Sequence, residues 1–240
     1  MKKAALHNLG CKVNAYETEA MQHLLEEAGY EIVPFTQKAD VYVINTCSVT
    51  NMADRKSRQM LHKAKKNNPD SIVVAAGCYV QTSEKEVLND LSVDIVIGND
   101  RKHDLVRLLE EYSLDSVNDT VDDINDGKHD FEELFIDQTK EHTRAFIKVQ
   151  DGCNQFCSYC IIPYARGPVR SKPLLEVVAE AEEIIAAGYQ EIVLTGIHTG
   201  AYGRDFVGQQ ICLEDLVAAL GGLPGLARLR LGSIEPQEGT

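Results

Sequence analysis

The first 112 residues alternate short apolar runs rich in β-branched residues with segments of helical periodicity, and this alternation constrains the fold more than any other feature. It is typical of α/β domains with a largely parallel sheet. The strand candidates are residues 4–8, 31–35, 41–45, 72–76 and 93–97, and the helix candidates are residues 15–28, 51–67, a short helix capped by Ser83 and a helix from about Arg101. The sequence predicts a doubly wound α/β domain with a mostly parallel sheet over residues 1–112.

The first helix candidate carries start and stop signals. Asn14 is a favourable N-cap residue, Glu17 stands three positions later as in a capping box, and Gly29 follows the last apolar position. We therefore expect the side chains of Asn14 and Glu17 to satisfy backbone groups at the N-terminus of this helix.

Most of the formal net charge of −13 comes from one stretch of the chain. Between Asp104 and Glu141 there are 13 acidic and 3 basic residues, a net of −10, so the rest of the chain carries only −3. Residues 113–143 are rich in Asp and Asn and poor in periodicity, which is typical of a linker or a loosely packed connection. We therefore predict an acidic linker over residues 113–143.

From residue 144 onward the pattern again alternates strands with helices. The candidates are a strand at 144–150, a helix at 172–187, a strand at 191–194, a helix at 213–220 and a strand at 226–231. Successive βα units of this kind are typical of the opening of a (βα) barrel. We predict that residues 144–240 form the N-terminal part of an incomplete (βα) barrel, truncated at Thr240.

Composition and the amino terminus narrow the class of protein. Hydrophobic residues make up 44% and charged residues 25% of the chain, as in globular proteins. There is no apolar run of about 18 residues, and Met1-Lys2-Lys3 leads straight into a strand candidate without a signal segment. We expect a cytoplasmic protein without membrane contact, in which seven cysteines favour metal binding or catalysis over a disulfide framework.

Three of the cysteines, Cys153, Cys157 and Cys160, follow a strand candidate at the spacing C-x3-C-x2-C. Three thiolates in one loop can bind three corners of a cubane iron–sulfur cluster and leave the fourth iron without a protein ligand. The alternative is a zinc site, but structural zinc sites normally have four ligands, and neither His142 nor Cys212 stands at zinc-finger spacing. The spacing favours a cluster with an open iron, where chemistry can take place.

Three further cysteines each follow a strand of the first domain. Cys11 comes after the first strand candidate, Cys47 after the third and Cys78 after the fourth. Because the carboxyl ends of parallel strands meet at one crevice, these thiols can converge although they are about 30 residues apart in sequence. The alternative is that they are ordinary buried thiols, as we expect for Cys212. Glycine precedes two of them and permits close approach, which favours a second three-thiolate site.

The pattern C-x3-C-x2-C with Tyr159 before its last cysteine resembles that of the radical S-adenosylmethionine (SAM) enzymes. Together with the three dispersed cysteines, the chain resembles the methylthiotransferase branch of that superfamily over essentially its whole length. The resemblance implies a radical SAM barrel in which Cys153, Cys157 and Cys160 hold a [4Fe–4S] cluster that binds SAM. It also implies that Cys11, Cys47 and Cys78 hold an auxiliary [4Fe–4S] cluster.

Segments 9–14, 16–17, 151–153, 164–171 and 233–236 are most similar to the enzymes that convert N6-threonylcarbamoyladenosine 37 of tRNA to its 2-methylthio derivative. The resemblance implies two SAM molecules, a one-electron reductant and a sulfur donor as partners of the reaction. Sister branches that act on isopentenyladenosine in tRNA or on a ribosomal-protein aspartate share every cysteine and remain alternatives. An alternative of another class is a non-catalytic zinc or redox-sensing module that binds RNA.

Four residues are candidates for SAM binding. Tyr159 belongs to the cysteine motif, and Gly196 lies in a glycine-dense loop after a barrel strand, a region that the resemblance places beside SAM. Ser233 and Glu235 follow the last strand candidate, where they either bond SAM or simply end the strand.

Two sets of basic residues are candidates for contacts with RNA or substrate. Arg166 and Arg170 follow the cysteine loop and either hold a carboxylate or RNA phosphate by charge-assisted hydrogen bonds or form a surface pair. Arg55, Arg58 and Lys65 fall on one face of the second helix candidate. This face either contacts tRNA phosphates or is simply solvated.

Overall fold

A computed structural model describes residues 1–112, 118–126, 129–132, 134 and 144–235. In the first half the strands and helices are β1 (Lys3–Asn8), α1 (Lys12–Glu27), β2 (Glu31–Ile32), β3 (Val41–Thr46), α2 (Asn51–Asn67), β4 (Ile72–Gly77), α3 (Cys78–Thr82), α4 (Glu84–Leu88), β5 (Ile95–Ile97), α5 (Leu105–Glu111) and β6 (Asn118–Thr120). In the second half they are β7 (Ala145–Lys148), β8 (Gln150–Asp151), α6 (Ile162–Arg166), β9 (Arg170–Ser171), α7 (Leu174–Ala186), β10 (Glu191–Thr195), α8 (Leu213–Gly221) and β11 (Arg228–Leu231).

The first six strands form one parallel sheet in the order β2-β1-β3-β4-β5-β6. Side chains alternate across it, so that Val41 and Val43 pack with α1 and α5 on one face, while Tyr42 and Ile44 pack with α2 on the other. The predicted doubly wound α/β fold is confirmed. The chain reverses its direction of winding between β1 and β3, so these two strand ends flank the crevice where such folds bind ligands.

The first helix begins earlier than the sequence signals indicated. It starts at Lys12 with Cys11 at the N-cap position, which places Asn14 and Glu17 inside the helix, both fully buried. The prediction of a capping box was therefore wrong. Ser83 is at the N-cap position of α4 as predicted, but its side chain makes no capping hydrogen bond.

The second half contains a parallel sheet of three strands in the order β11-β10-β7. Helices α7 and α8 cover one face of it, with a core that includes Ile147, Ile184 and Leu220. The prediction of a partial (βα) barrel is confirmed in this part of the chain. The strand expected at residues 144–150 is divided, because β8 turns away and pairs antiparallel with β9.

The acidic stretch expected as a linker contributes structure to the first half. Residues 118–120 form β6 and pair with β5, while Ile124, Glu132 and Leu134 are buried. Within the predicted linker the structure describes residues 118–126, 129–132 and 134, and the other residues of the linker lie outside the described ranges. Within the described part of this stretch, a strand and buried side chains replace the expected loose connection.

Candidate functional site

The structure brings Cys11, Cys47 and Cys78 to one cavity of about 420 Å³. Cys11 lies at the start of α1, Cys47 directly follows β3, and Cys78 is the first residue of α3. The thiols therefore come together at the carboxyl edge of the sheet, two of them at the point where the winding reverses. Cys47 and Cys78 are buried and Cys11 is exposed, so the cavity opens towards solvent on the Cys11 side.

Gly77, directly before Cys78, lets the end of β4 approach the end of β3 closely. Its φ is +96°, and a Cβ there would meet the Asn45 Oδ1 atom at 2.5 Å and the Thr46 carbonyl oxygen at 2.7 Å. A larger residue would push the Cys78 turn away from the Cys47 turn. The glycine identified in the sequence therefore has a steric role in bringing two of the thiols together.

The opposite wall of the same cavity comes from the second half of the chain. It is formed by Ile161, Ile162 and Arg166 of the segment after Cys160, by residues 195–197 at the end of β10, and by Ser233. The cavity is thus a chamber between the first domain and the partial barrel. Gly196 and Ser233, two of the candidates for SAM binding, both line it.

Cys153, Cys157 and Cys160 lie in the loop between β8 and α6. The loop is held by hydrogen bonds from the Cys153 amide to the Gly167 carbonyl (3.0 Å) and from the Cys160 amide to the Cys157 carbonyl (2.9 Å). Cys157 is exposed and the other two are half-buried. Burial raises the pKa of the Cys153 thiol, and the neighbouring Cys160, Cys157 and Glu235 act in the same direction.

The donor sets suit iron–sulfur clusters. Thiolates are the usual protein ligands of such clusters, and each site supplies three of them. Across the described part of the chain, no three His, Cys, Asp or Glu side chains are grouped closely enough to hold a single metal ion. The ligand role of the six cysteines stays a prediction, which the shared cavity and the common loop support.

A cluster of buried charges joins the two halves beneath the cavity. Glu17 of α1 accepts hydrogen bonds from Arg166 Nη1 (2.8 Å) and Lys148 Nζ (2.8 Å), both from the second half. Lys102 Nζ lies 3.3 Å from the other Glu17 oxygen, and Asp151 Oδ2 is 3.0 Å from Arg166 and 2.7 Å from Lys148. All five side chains are at most 3% exposed.

The balance of burial and charge sets the protonation of Glu17. Burial alone would raise the pKa of this carboxyl, but Arg166, Lys102 and Lys148 together hold it well below its ordinary value. Sequence reasoning missed this cluster and assigned Glu17 to a helix cap. The available signal was a charged residue on the apolar face of a helix, since Glu17 shares its face with Ala20 and Met21.

The two arginines after the cysteine loop do hold carboxylates, but these belong to the chain itself. Arg166 binds Glu17 and Asp151, and Arg170 pairs with Asp100. Their exposed fractions are 1% and 3%. Both guanidinium groups are therefore buried against carboxylates of the chain itself, which excludes the alternative of a surface pair and disfavours an RNA-phosphate contact.

The basic face of α2 is partly occupied by partners within the chain. Arg58 donates to the Tyr79 hydroxyl (3.0 Å), and Lys65 forms an ion pair with Asp94 (2.6 Å). Arg55 is exposed on the first turns of the helix. Only part of the predicted basic stripe therefore projects into solvent.

The remaining candidates lie near the cysteine loop or at the surface. Tyr159 is 91% exposed, and Glu235 is exposed and near enough to Cys153 to raise the pKa of that thiol. Cys212, expected to be an ordinary packed residue, is exposed at the N-cap of α8, where its Sγ lies 3.3 Å from Asp215. The packing interpretation of Cys212 was wrong.

Two family models match the chain. Residues 3–98 match the family described as Uncharacterized protein family UPF0004, and residues 147–218 match the Radical SAM superfamily. The boundary between the two matches falls in the acidic stretch. None of the helices in the described ranges has the length and apolar character needed to cross a membrane.

Curated relatives align along nearly the whole chain. The threonylcarbamoyladenosine tRNA methylthiotransferase MtaB of Bacillus subtilis is 45% identical over all of this chain and 53% of its own length. The MtaB protein of Aquifex aeolicus is 40% identical over 98% of this chain and 57% of its own. The tRNA-2-methylthio-N(6)-dimethylallyladenosine synthase of a Thermoanaerobacter species is 31% identical over 97% of this chain and 50% of its own. The chain thus spans about half the length of the curated relatives it matches.

A solved structure shares the fold at low identity. The radical S-adenosylmethionine methyltransferase TsrM of Kitasatospora setae, with tryptophan substrate and a SAM analogue bound, is similar with a TM-score of 0.58 and 14% identity. The similarity covers 99% of this chain and 60% of that one. It supports the order of an α/β domain followed by a radical SAM domain.

Proposed function

We propose that this chain, which belongs to the radical SAM methylthiotransferase family, methylthiolates N6-threonylcarbamoyladenosine at position 37 of tRNA. The product is the 2-methylthio derivative. The observation that carries the proposal is the cavity between the two halves. Three thiols of the first domain face the end of β10 and Ser233 of the second across it.

The residues present fit the implied cofactors. Cys11, Cys47 and Cys78 would hold the auxiliary [4Fe–4S] cluster, and Cys153, Cys157 and Cys160 would hold the cluster that binds SAM. When bound, the clusters and SAM supply the sulfur, the methyl group and the one-electron chemistry that side chains lack. Gly196, Ser233, Tyr159 and Glu235 are the proposed SAM contacts. Residues 1–112 and 144–235 supply the two walls of the cavity.

A cofactor is required because of the bond that has to be broken. The C2–H bond of adenine is far too weakly acidic for any side chain to deprotonate near pH 7. What the protein itself contributes is position: a substrate base placed in the chamber would lie between the three thiols of the first domain and the segment that follows Cys160. Apolar Val49, Ile161 and Ile162 line this chamber and give part of its wall a hydrophobic surface.

Similarity to the relatives supports the choice of tRNA substrate. Identity is 45% to the threonylcarbamoyladenosine enzyme of Bacillus subtilis and 31% to the dimethylallyladenosine enzyme of Thermoanaerobacter. This difference favours the threonylcarbamoyl branch. A tRNA substrate, a reductant and a sulfur donor are partners of the proposed reaction.

Iron and acid-labile sulfide per chain, measured after anaerobic reconstitution, test the cofactor part. We expect about eight irons in the wild type and about four when either Cys153, Cys157 and Cys160 or Cys11, Cys47 and Cys78 are replaced by alanine. The Cys212→Ala variant is the matched control and should keep about eight. Zinc near one per chain without sulfide would overturn the proposal in favour of a zinc or redox-sensing RNA-binding module.

The substrate is tested with the reconstituted chain, SAM and a reductant. Two tRNAs that carry threonylcarbamoyladenosine or isopentenyladenosine at position 37, and a ribosomal protein, are offered in parallel, and products are identified by mass spectrometry. Methylthiolation of the threonylcarbamoyl tRNA alone supports the proposal. Modification of either other substrate instead, or of none by a chain loaded at both sites, overturns it.

A further inference from the structure

We propose that Asn14 and Arg166 are positioning residues that fasten the Cys11 turn, residues 9–11, to the Cys153 loop, residues 152–160. The inference deepens the proposed function and rests on it for its purpose, which is to keep the two sets of thiols at one fixed separation. The contacts themselves are properties of this chain with or without cofactors.

Asn14 ties together the turns that carry two of the first three cysteines. Its Nδ2 donates to the Leu9 carbonyl (3.1 Å), at the start of the Cys11 turn, and to the Thr46 carbonyl (2.8 Å), just before Cys47. Its Oδ1 lies 3.4 Å from Cys11 Sγ. A fully buried amide with every partner in place defines a unique local geometry.

Arg166 continues this connection into the second half. Its Nη2 donates to Asn14 Oδ1 (2.8 Å), while its Nη1 donates to Asp151 Oδ2 (3.0 Å). Asp151 Oδ1 in turn accepts from the Gly152 amide (2.8 Å), which begins the Cys153 loop. The path from the Cys11 turn to the Cys153 loop therefore runs through two side chains, Asn14 and Arg166, and one carboxylate.

The backbone around Arg166 completes the attachment. The carbonyl of Gly167, the next residue, accepts the Cys153 amide (3.0 Å). The Nδ2 of the buried Asn99 side chain donates to the carbonyl of Ala165, the residue before Arg166 (2.6 Å). The same Nδ2 lies 3.7 Å from Cys78 Sγ. Ala165, Arg166 and Gly167 thus each bond to a group that belongs to, or directly contacts, one of the two cysteine sites.

The connection does not depend on a thiol proton. If Cys11 becomes a ligand its proton leaves, and the contact between Cys11 Sγ and Asn14 Oδ1 ceases to be a hydrogen bond. The bonds of Asn14 to Leu9, Thr46 and Arg166 involve no thiol and persist. A planar guanidinium with donors on two edges can hold Asn14 and Asp151 at once, which a lysine ammonium on a single stem does not reproduce.

Hydrogen exchange of the iron-free chain tests the inference. We expect Asn14→Ala to accelerate exchange of the Gly152 and Cys153 amides, and Arg166→Lys to accelerate exchange of the Leu9 and Ala15 amides, each by at least about fivefold. The exchange rates are thus measured in the half of the chain that does not carry the substitution. Coupling of this kind is reciprocal, so both directions must appear.

Stability separates positioning from a general structural role. Arg166→Lys keeps a cation between Glu17 and Asp151, so its melting temperature should fall less than that of Arg166→Gln, although the exchange of Leu9 and Ala15 rises equally in both. The matched control is Arg170→Gln, which removes another buried guanidinium between the halves; its hydrogen bonds run to Asp100 and to the Arg166 backbone carbonyl, and among the described ones none reaches Asn14 or involves the Arg166 guanidinium. It should leave the hydrogen-exchange rates of the Leu9 and Ala15 amides unchanged.

Exchange that changes only within the half that carries the substitution would overturn the inference. So would equal acceleration of Leu9 and Ala15 in the Arg170→Gln control. Because no iron is present in the experiment, its outcome is independent of cofactor loading. Failure of iron binding would overturn the proposed function and leave this test intact.

Discussion

Replacing Glu17 by glutamine should destabilise the chain far more than an ordinary change at a charged residue. The substitution is nearly isosteric, but it removes the negative charge that Arg166, Lys148 and Lys102 share. Asp151 and Glu132 then remain to balance three buried cations, and Glu132 Oε2 is 3.8 Å from Lys102. The protein must then keep an uncompensated positive charge in its interior or rearrange so that one of these cations is exposed to water.

The magnitude follows from what it costs to leave a buried charge unpaired. Breaking a buried ion pair by removing one partner costs about 3–5 kcal/mol. For a chain of this size, each kcal/mol lowers the melting temperature by about 2–4 °C. We therefore expect Glu17→Gln to melt roughly 6–20 °C below the wild type at neutral pH, as measured by circular dichroism.

The chain contains a matched control for this experiment. Glu191 also faces three cations, with Arg228 at 2.9 Å, Arg230 at 2.5 Å and Arg144 at 3.9 Å, but its side chain is 19% exposed and its partners are about half exposed. Water already screens these pairs, so Glu191→Gln should shift the melting temperature much less. Equal shifts in the two variants would refute the argument that burial decides the effect.

The pH dependence gives a second signature of Glu17. Its pKa is held well below the ordinary value in the folded protein, so its stabilisation is complete above the unfolded-state pKa of about 4.3 and is lost as the pH falls below that value. Below this pH the carboxyl is protonated first in the unfolded chain and then, at its lower pKa, in the folded protein, where it resembles glutamine. The gap in melting temperature between wild type and Glu17→Gln should therefore be widest at neutral pH and narrow in acid, and a gap that widens in acid would contradict the assignment.

Two further predictions concern a glycine and a surface arginine. A Cβ on Gly152, whose φ is +70°, would meet the Pro168 carbonyl oxygen at 1.9 Å, so Gly152→Ala should displace the Cys153 loop and lower reconstituted iron from about eight to about four per chain. Gly188→Ala, at a φ of +100° with nothing within 4 Å, is the control and should keep about eight. If Arg55 contacts a tRNA phosphate, Arg55→Gln should lower the salt dependence of tRNA binding by about 0.9 in the logarithmic slope, and Arg107→Gln, at an exposed side chain of α5, should not.

The features of the fold that depend on local sequence were predictable. Alternating apolar runs and helical periods gave the parallel sheet, because each strand and helix is specified by its own residues. The convergence of Cys11, Cys47 and Cys78 followed from one general property of parallel sheets, that their carboxyl ends share an edge. Neither step required knowledge of how the two halves pack together.

The roles of Asn14 and Glu17 were not predictable by the same means. Both are favourable residues for a helix N-terminus, and the place of Glu17 on the apolar face of the helix was the one neighbouring signal that it is a buried side chain and not a cap. The distinction lies in their partners, since Lys148 is 131 residues from Glu17 and Arg166 is 149 residues from it. A window of sequence around α1 contains neither cation.

The same reasoning explains why the burial of Arg166 and Arg170 was not predicted from the sequence. An arginine in a loop is mostly exposed in proteins and almost never fully buried unless it is paired. Here Glu17, Asp151 and Asp100 supply that pairing, and the cost of desolvating each charge is offset only because its partners are already fixed in place. Buried charge therefore gives the junction between the halves a defined register, since an apolar contact tolerates sliding whereas a guanidinium held by two carboxylates and an amide does not.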